Sequence, residues 1–167
     1  MINEPDYNDF FGLQFDILRS EPCLNFESAL ADLDSGERDK AYLKLSEAEK
    51  QGDMRASFVL GVLFLMEYQK SHAGSPRKAA IHMAKAAYAG VPEGCFEFAR
   101  MLEAGLGAKK NRRNAFRYFL RGALLGHLDS YYEVARHYEK GIGAKADKQV
   151  AYIWRGRGNE IYRARNK

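Results

Sequence analysis

Residues 94–126 (GCFEFARMLEAGLGAKKNRRNAFRYFLRGALLG) and 130–162 (SYYEVARHYEKGIGAKADKQVAYIWRGRGNEIY) are two copies of one pattern. At an offset of 36, eleven of the 33 positions are identical, among them Glu97/Glu133, Arg100/Arg136, Glu103/Glu139, Gly107/Gly143 and Ala115/Ala151. A fixed period in the thirties marks a stacked-repeat architecture, in which each unit buries its apolar face only against its neighbours. Chains built this way usually work by presenting a surface to a partner.

The pattern extends towards the N-terminus. Ala56–Phe64 aligns with Gly94–Leu102, and Lys78–Gly90 aligns with Asn114–Gly126. The spacing between these two blocks is longer by two residues than in the clear copies, which places an insertion in a connecting loop within 67–75. Lys40–Gly52 aligns with Lys78–Gly90 as a half-unit.

Each unit reads as two helices. The first carries small residues at its contact points (Ala56, Gly94, Ser130, then Gly61, Ala99, Ala135), so paired backbones can approach closely. In the two clear copies it ends at Gly105-Leu-Gly107 and Gly141-Ile-Gly143, and glycine suits a helix C-terminus and a tight turn. A phosphate loop is the other reading of Gly-x-Gly, but this one follows a helix and lacks a third glycine. The second helices start around Pro76, Asn111 and Asp147, residues suited to a first turn or an N-cap, and end at Gly52, Gly90 and Gly126. Tyr162 replaces that glycine in the last unit, so a helix over 148–165 runs on and caps the stack.

The expected fold is an all-α, α/α solenoid of stacked antiparallel helix pairs forming one domain over 1–167. Capping helices are expected within 1–37 and about three and a half repeat units over 38–165. A helix over 22–34 closes at Ser35-Gly36, and Phe10, Phe11, Leu13, Phe15, Ile17 and Leu18 supply apolar surface for a cap over 6–19. An amphipathic membrane anchor is the alternative for that segment, but its polar face would be acidic, the wrong sign for anionic lipid.

Gly141-Ile-Gly-Ala-Lys-Ala-Asp147, followed by Ala151 and Trp154, resembles the signature of Sel1-like repeats. Ala86-Ala87 with Gly90, Gly122-Ala123 with Gly126, and the aromatic pair Tyr118-Phe119 match other parts of that signature across residues 40–162. The 56–90 unit departs from it, with Glu67 and Gln69 where the Gly-x-Gly turn would stand. The resemblance implies a solenoid related to tetratricopeptide repeats that acts as a protein-interaction scaffold or adaptor. Neutralising a bacterial effector, as an immunity protein does, is one role that it suggests.

In tetratricopeptide-like stacks the first helices line the concave face. That register places Phe58, Phe96 and Tyr132 in one ladder, Val62, Arg100 and Arg136 in the next, and Leu65, Glu103 and Glu139 in a third. Rings provide apolar area and guanidinium groups bind carboxylates bidentately, so the expected ligand is a partner protein or peptide with acidic side chains. The other reading makes Arg100–Glu103 and Arg136–Glu139 solubilising i,i+3 pairs and the rings inter-repeat packing.

Charge is uneven along the chain. Residues 1–55 carry 13 acids against 6 bases, whereas 56–167 carry 9 against 20. The densest basic patch runs from Lys109 to Arg121, interleaved with Phe116, Tyr118 and Phe119. A nucleic-acid-associated protein is the alternative function, using the charges for phosphate and the rings for stacking. Those rings fall at apolar helix positions, so an acidic protein partner fits better.

No catalytic constellation is apparent, and no cofactor or metal is expected. His72, His82, His127 and His137 are scattered, with His137 beside the concave Arg136 and facing a partner on this reading. Cys23 and Cys95 form neither a disulfide framework nor a metal-type pair, and Cys95 reads as a small buried hydrophobe. With no apolar run near membrane-spanning length and no basic leader region, the expected location is cytoplasmic. The expected oligomeric state is a monomer or, if a terminal helix docks in a neighbour's stack, a swapped dimer.

Overall fold

The computed structural model describes residues 23–72 and 74–167, and the expected cap over 6–19 lies outside them. The described residues form eight helices and no strand: α1 (Leu24–Asp34), α2 (Arg38–Lys50), α3 (Met54–Ser71), α4 (Pro76–Tyr88), α5 (Pro92–Ala104), α6 (Arg112–Leu124), α7 (Leu128–Lys140) and α8 (Lys148–Arg165). Contacts run between consecutive helices, most densely within the pairs α1·α2, α3·α4, α5·α6 and α7·α8. This is the expected α/α solenoid.

The caps follow from local chemistry. The side chains of Asp53, Ser75, Asn111 and Asp147 accept backbone N–H groups at the starts of α3, α4, α6 and α8, and Pro76 and Pro92 stand in first turns. At the far ends, Val91 N–H bonds to Ala86 C=O and His127 N–H to Gly122 C=O, the six-to-one bond of a Schellman turn.

The second glycine of each Gly-x-Gly turn has a specific packing reason. Gly143 has φ +71°, and a Cβ there would lie 2.3 Å from the Arg112 carbonyl oxygen. Gly107 meets the Pro76 carbonyl in the same way, at 2.0 Å. The turn of each of these units therefore sits directly on the start of the preceding unit's second helix.

The largest core cluster joins the last two pairs. Ala99, Ala115, Ala123, Val134 and Ala135 let the helices close on Phe119, Leu120 and Trp154. Phe119 is wholly buried and Trp154 is 3% exposed.

The 67–75 segment differs from expectation. The insertion does not lengthen a loop; it extends α3 to Ser71, and His72 takes the left-handed position at φ 55° that glycine holds in the other units. Polar and long side chains through Lys70 keep a helical period, and nothing at the former turn position breaks it. The last helix runs to Arg165 as expected.

Candidate functional site

The inner helices α3, α5 and α7 shape a groove of about 490 Å³. Leu65 and Gln69 form one wall, Glu97, Arg100, Met101 and Glu103 the floor, and Glu133 and Arg136 the other wall. Arg100 and Arg136 of one expected ladder and Leu65 and Glu103 of another thus meet in one concavity, whereas Val62 packs on the cluster around Ala79 and Met83. The third contributes differently: Phe96 packs against Phe119 and His127, at ring-centroid distances of 5.7 and 4.6 Å, and the Tyr132 hydroxyl bonds to Asn159 of α8 at 3.1 Å. Phe58 packs on the cluster around Ala79, Met83 and Met101. Glu139 pairs with Arg155 at 2.8 Å.

The charges in the groove are paired in a way that spacing did not indicate. Arg100 does not bond Glu103; it donates to Glu97 one turn back, at 3.2 Å, and stays 60% exposed. Arg136 does not bond Glu139; it donates to Glu133 on its own helix and, across the repeat boundary, to Glu103 at 2.6 Å. Burial works against the Arg136 charge, but its hydrogen bonds to Glu103 and Glu133 more than offset this and raise its pKa. The two arginines therefore have different roles. Arg136 ties α7 to α5, whereas Arg100 is mostly open to solvent and pairs only within its own helix.

His137 does not face a partner. It is fully buried beneath the groove, where its Nδ1–H donates to the Ile142 carbonyl of the Gly-x-Gly turn. Burial lowers its pKa, opposed by that backbone bond and by Glu103, and Nε2 lies 3.5 Å from a Glu103 carboxylate oxygen. Glu103, Glu133 and His137 bring ligand atoms within 4.8 Å of one another, a donor set that the scattered sequence positions did not suggest. The Arg136 guanidinium already lies against both carboxylates and 3.3 Å from His137 Nε2, filling the place of a cation.

The basic patch is also sorted by burial. Lys109, Lys110, Arg112, Arg113 and Arg117 are exposed, but Arg121 is 6% exposed and donates to the Tyr88 carbonyl at the end of α4. Arg121 is thus an inter-helix cap and not part of the charged surface. Phe116 and Phe119 are buried and Tyr118 is half-buried, so these rings lie beneath the charges. A second polar cluster links the first units: Glu49 of α2 accepts from Ser57, His82 and Lys85. Ser57 is wholly buried and donates to that carboxylate from the start of α3.

A family model described as Sel1 repeat matches residues 55–91, 92–127 and 128–154. Among solved structures, the chain is similar to a Sel1 repeat protein from Oxalobacter formigenes, with 29% identity and a TM-score of 0.65. That match covers 74% of this chain and 35% of the other. It is also similar to c5321, a protective antigen present in uropathogenic Escherichia coli strains, at 23% identity and TM-score 0.73, over 81% of this chain and 30% of that one. Helicobacter pylori cysteine rich protein B shares the fold at 17% identity and TM-score 0.55, with 72% of this chain and 90% of that one covered. The chain thus spans about a third of the length of the first two structures. No curated protein matches significantly.

Proposed function

The chain belongs to the Sel1 repeat family, and from that premise we propose that it is a non-enzymatic scaffold binding a partner protein in its concave groove. Proteins of Sel1 repeats generally mediate protein–protein interaction. The observation that supports the groove is the convergence of Leu65, Arg100, Glu103 and Arg136 on one cavity of about 490 Å³. Leu65, Met101 and Leu106 offer apolar contact, and Arg100 offers a charge that a surface-exposed pair with Glu97 holds only weakly. A partner segment with an apolar side chain beside a carboxylate suits this lining, because the carboxylate can replace Glu97 on Arg100.

The role is that of an intracellular adaptor, with neutralisation of a secreted effector as one form of it. The test is capture of the tagged protein from its own cells, comparing wild type with Arg100→Glu. A stoichiometric partner lost with that single change supports the groove, and its identity separates an adaptor from an effector neutraliser. A partner retained at full yield removes the groove from the account. The single change is the clean probe, because charge reversal at Arg136 would also set three carboxylates against one another.

A further inference from the structure

We propose that the loop edge of the stack is a second interaction surface, which takes an acidic segment of a partner polypeptide. The turns after α5 and α7 and the starts of α6 and α8 meet along this edge, since Gly143 lies directly on the Arg112 carbonyl. Lys109, Lys110, Arg112, Arg113, Lys145 and Lys148 are all exposed there. No acid occurs between residues 104 and 128, and only Asp147 occurs between 140 and 159, where it caps α8. Among the described residues, none of Lys109, Lys110, Arg112, Arg113 or Lys145 is in an ion pair. Glu103 and Glu139, at the nearby ends of α5 and α7, are taken by Arg136 and Arg155.

The placement of these charges works against the fold. Cations in a first turn face the positive end of the helix dipole and are disfavoured there. Yet Arg77 and Lys78 open α4, Arg112 and Arg113 open α6, and Lys148 opens α8, with no acid in any of those first turns. The paired helices α5 and α7 follow the usual rule with Glu93 and Asp129. Cations at the positive ends of the alternate helices α4, α6 and α8, offset at α8 by the capping Asp147, create a field along this edge that favours an anionic chain.

The shape of the edge favours a polypeptide over a nucleic acid. A hollow of about 520 Å³ opens between α6 and the 141–145 turn, with Arg113, Arg117 and Lys145 around Phe116 and Ala144. It offers a carboxylate charged partners over a small apolar floor. Phe119 is wholly buried and Phe116, 9% exposed, shows the hollow too little of its face for an unstacked base to lie on. This surface is separate from the concave groove, and the two proposals stand or fall independently.

The experiment is fluorescence anisotropy with a labelled peptide rich in Asp and Glu, against single-stranded and duplex oligonucleotides of equal net charge, at low salt. The expected result is peptide binding that weakens about tenfold or more in Lys109→Gln/Arg113→Gln/Lys145→Gln. Arg100→Glu should leave it unchanged. The triple change is confined to exposed side chains, and circular dichroism verifies folding. A charge-reversed set, Lys109→Glu/Arg113→Glu/Lys145→Glu, should abolish binding. Tighter binding of either oligonucleotide than of the peptide would overturn the proposal in favour of phosphate-backbone recognition. Absence of peptide binding at low salt, or binding indifferent to both triple variants, would also overturn it.

Discussion

Replacing Gly143 by alanine isolates the contact that sets how one unit sits on the next. Two costs combine at this position. The first is conformational, because φ is +71° and an L side chain in the left-handed region costs about 1–2 kcal/mol. The second is steric, because the new Cβ would lie 2.3 Å from the Arg112 carbonyl oxygen and 2.8 Å from its carbon. Both are backbone atoms, so relief requires moving the turn off α6, an overpacking cost of about 1–3 kcal/mol. Gly126 provides the control: its φ is +90°, but a Cβ there meets nothing within 4 Å. Gly126→Ala should therefore cost only the conformational part. Gly143→Ala should be less stable than Gly126→Ala by about 2 kcal/mol, read from urea unfolding by far-UV circular dichroism. In thermal melts this corresponds to roughly 4–8 °C at this chain length. Equal costs for the two variants would refute the claim that the turn is held by direct backbone contact.

Three further outcomes follow from the core and its polar ties. Phe119→Ala empties a wholly buried site between α6 and α7 and should cost about 3–5 kcal/mol by the same urea assay. Arg136→Gln removes the α7–α5 tie and should cost about 1–3 kcal/mol, whereas Arg100→Gln should change stability by less than about 1 kcal/mol. The dependence on pH should have two parts. Burial lowers the pKa of His127 and of His137 below 6.5, so the unfolded chain binds more protons and stability falls as pH drops through that value. Burial alone would raise the Glu49 pKa, but its bonds from Ser57, Lys85 and His82 lower it below 4.5. Its stabilisation is therefore present above 4.5 and lost as pH falls further. Melting temperatures measured from pH 8 to pH 3 should fall in both ranges, and His137→Gln should weaken the upper one.

Much of the fold could be read from recurrence alone. Gly105 and Gly141 act through their own backbone conformation and Asn111 and Asp147 through side-chain caps on the next turn, so their meaning is local and the structure keeps it. Small residues such as Ala99 and Ala135 recur in phase, and they mark a packed face in either copy. Pairing between units was not legible. Arg100 and Arg136 occupy equivalent positions and each has glutamates three residues to either side, so spacing cannot choose between them. Arg136 turns towards Glu103 because α5 lies against it in the stack, a relation carried by the supercoil and by no local motif. The burial of His137 and Arg121 was missed for a similar reason. Each spends its polar atoms on a neighbouring backbone carbonyl, Ile142 or Tyr88, and composition assigns such residues to the surface. His72 takes the left-handed position at the end of a helix lengthened beyond the repeat, which the repeat pattern did not indicate.

The central claim is that a partner lies in the concave groove, and site-specific photo-crosslinking tests it most directly. A photoreactive residue introduced at Ala104, exposed on the groove lining, is compared with one at Leu124, which is 49% exposed on α6. The account predicts a covalent adduct with the captured partner from position 104 and none from position 124. An adduct from position 124 alone would contradict it.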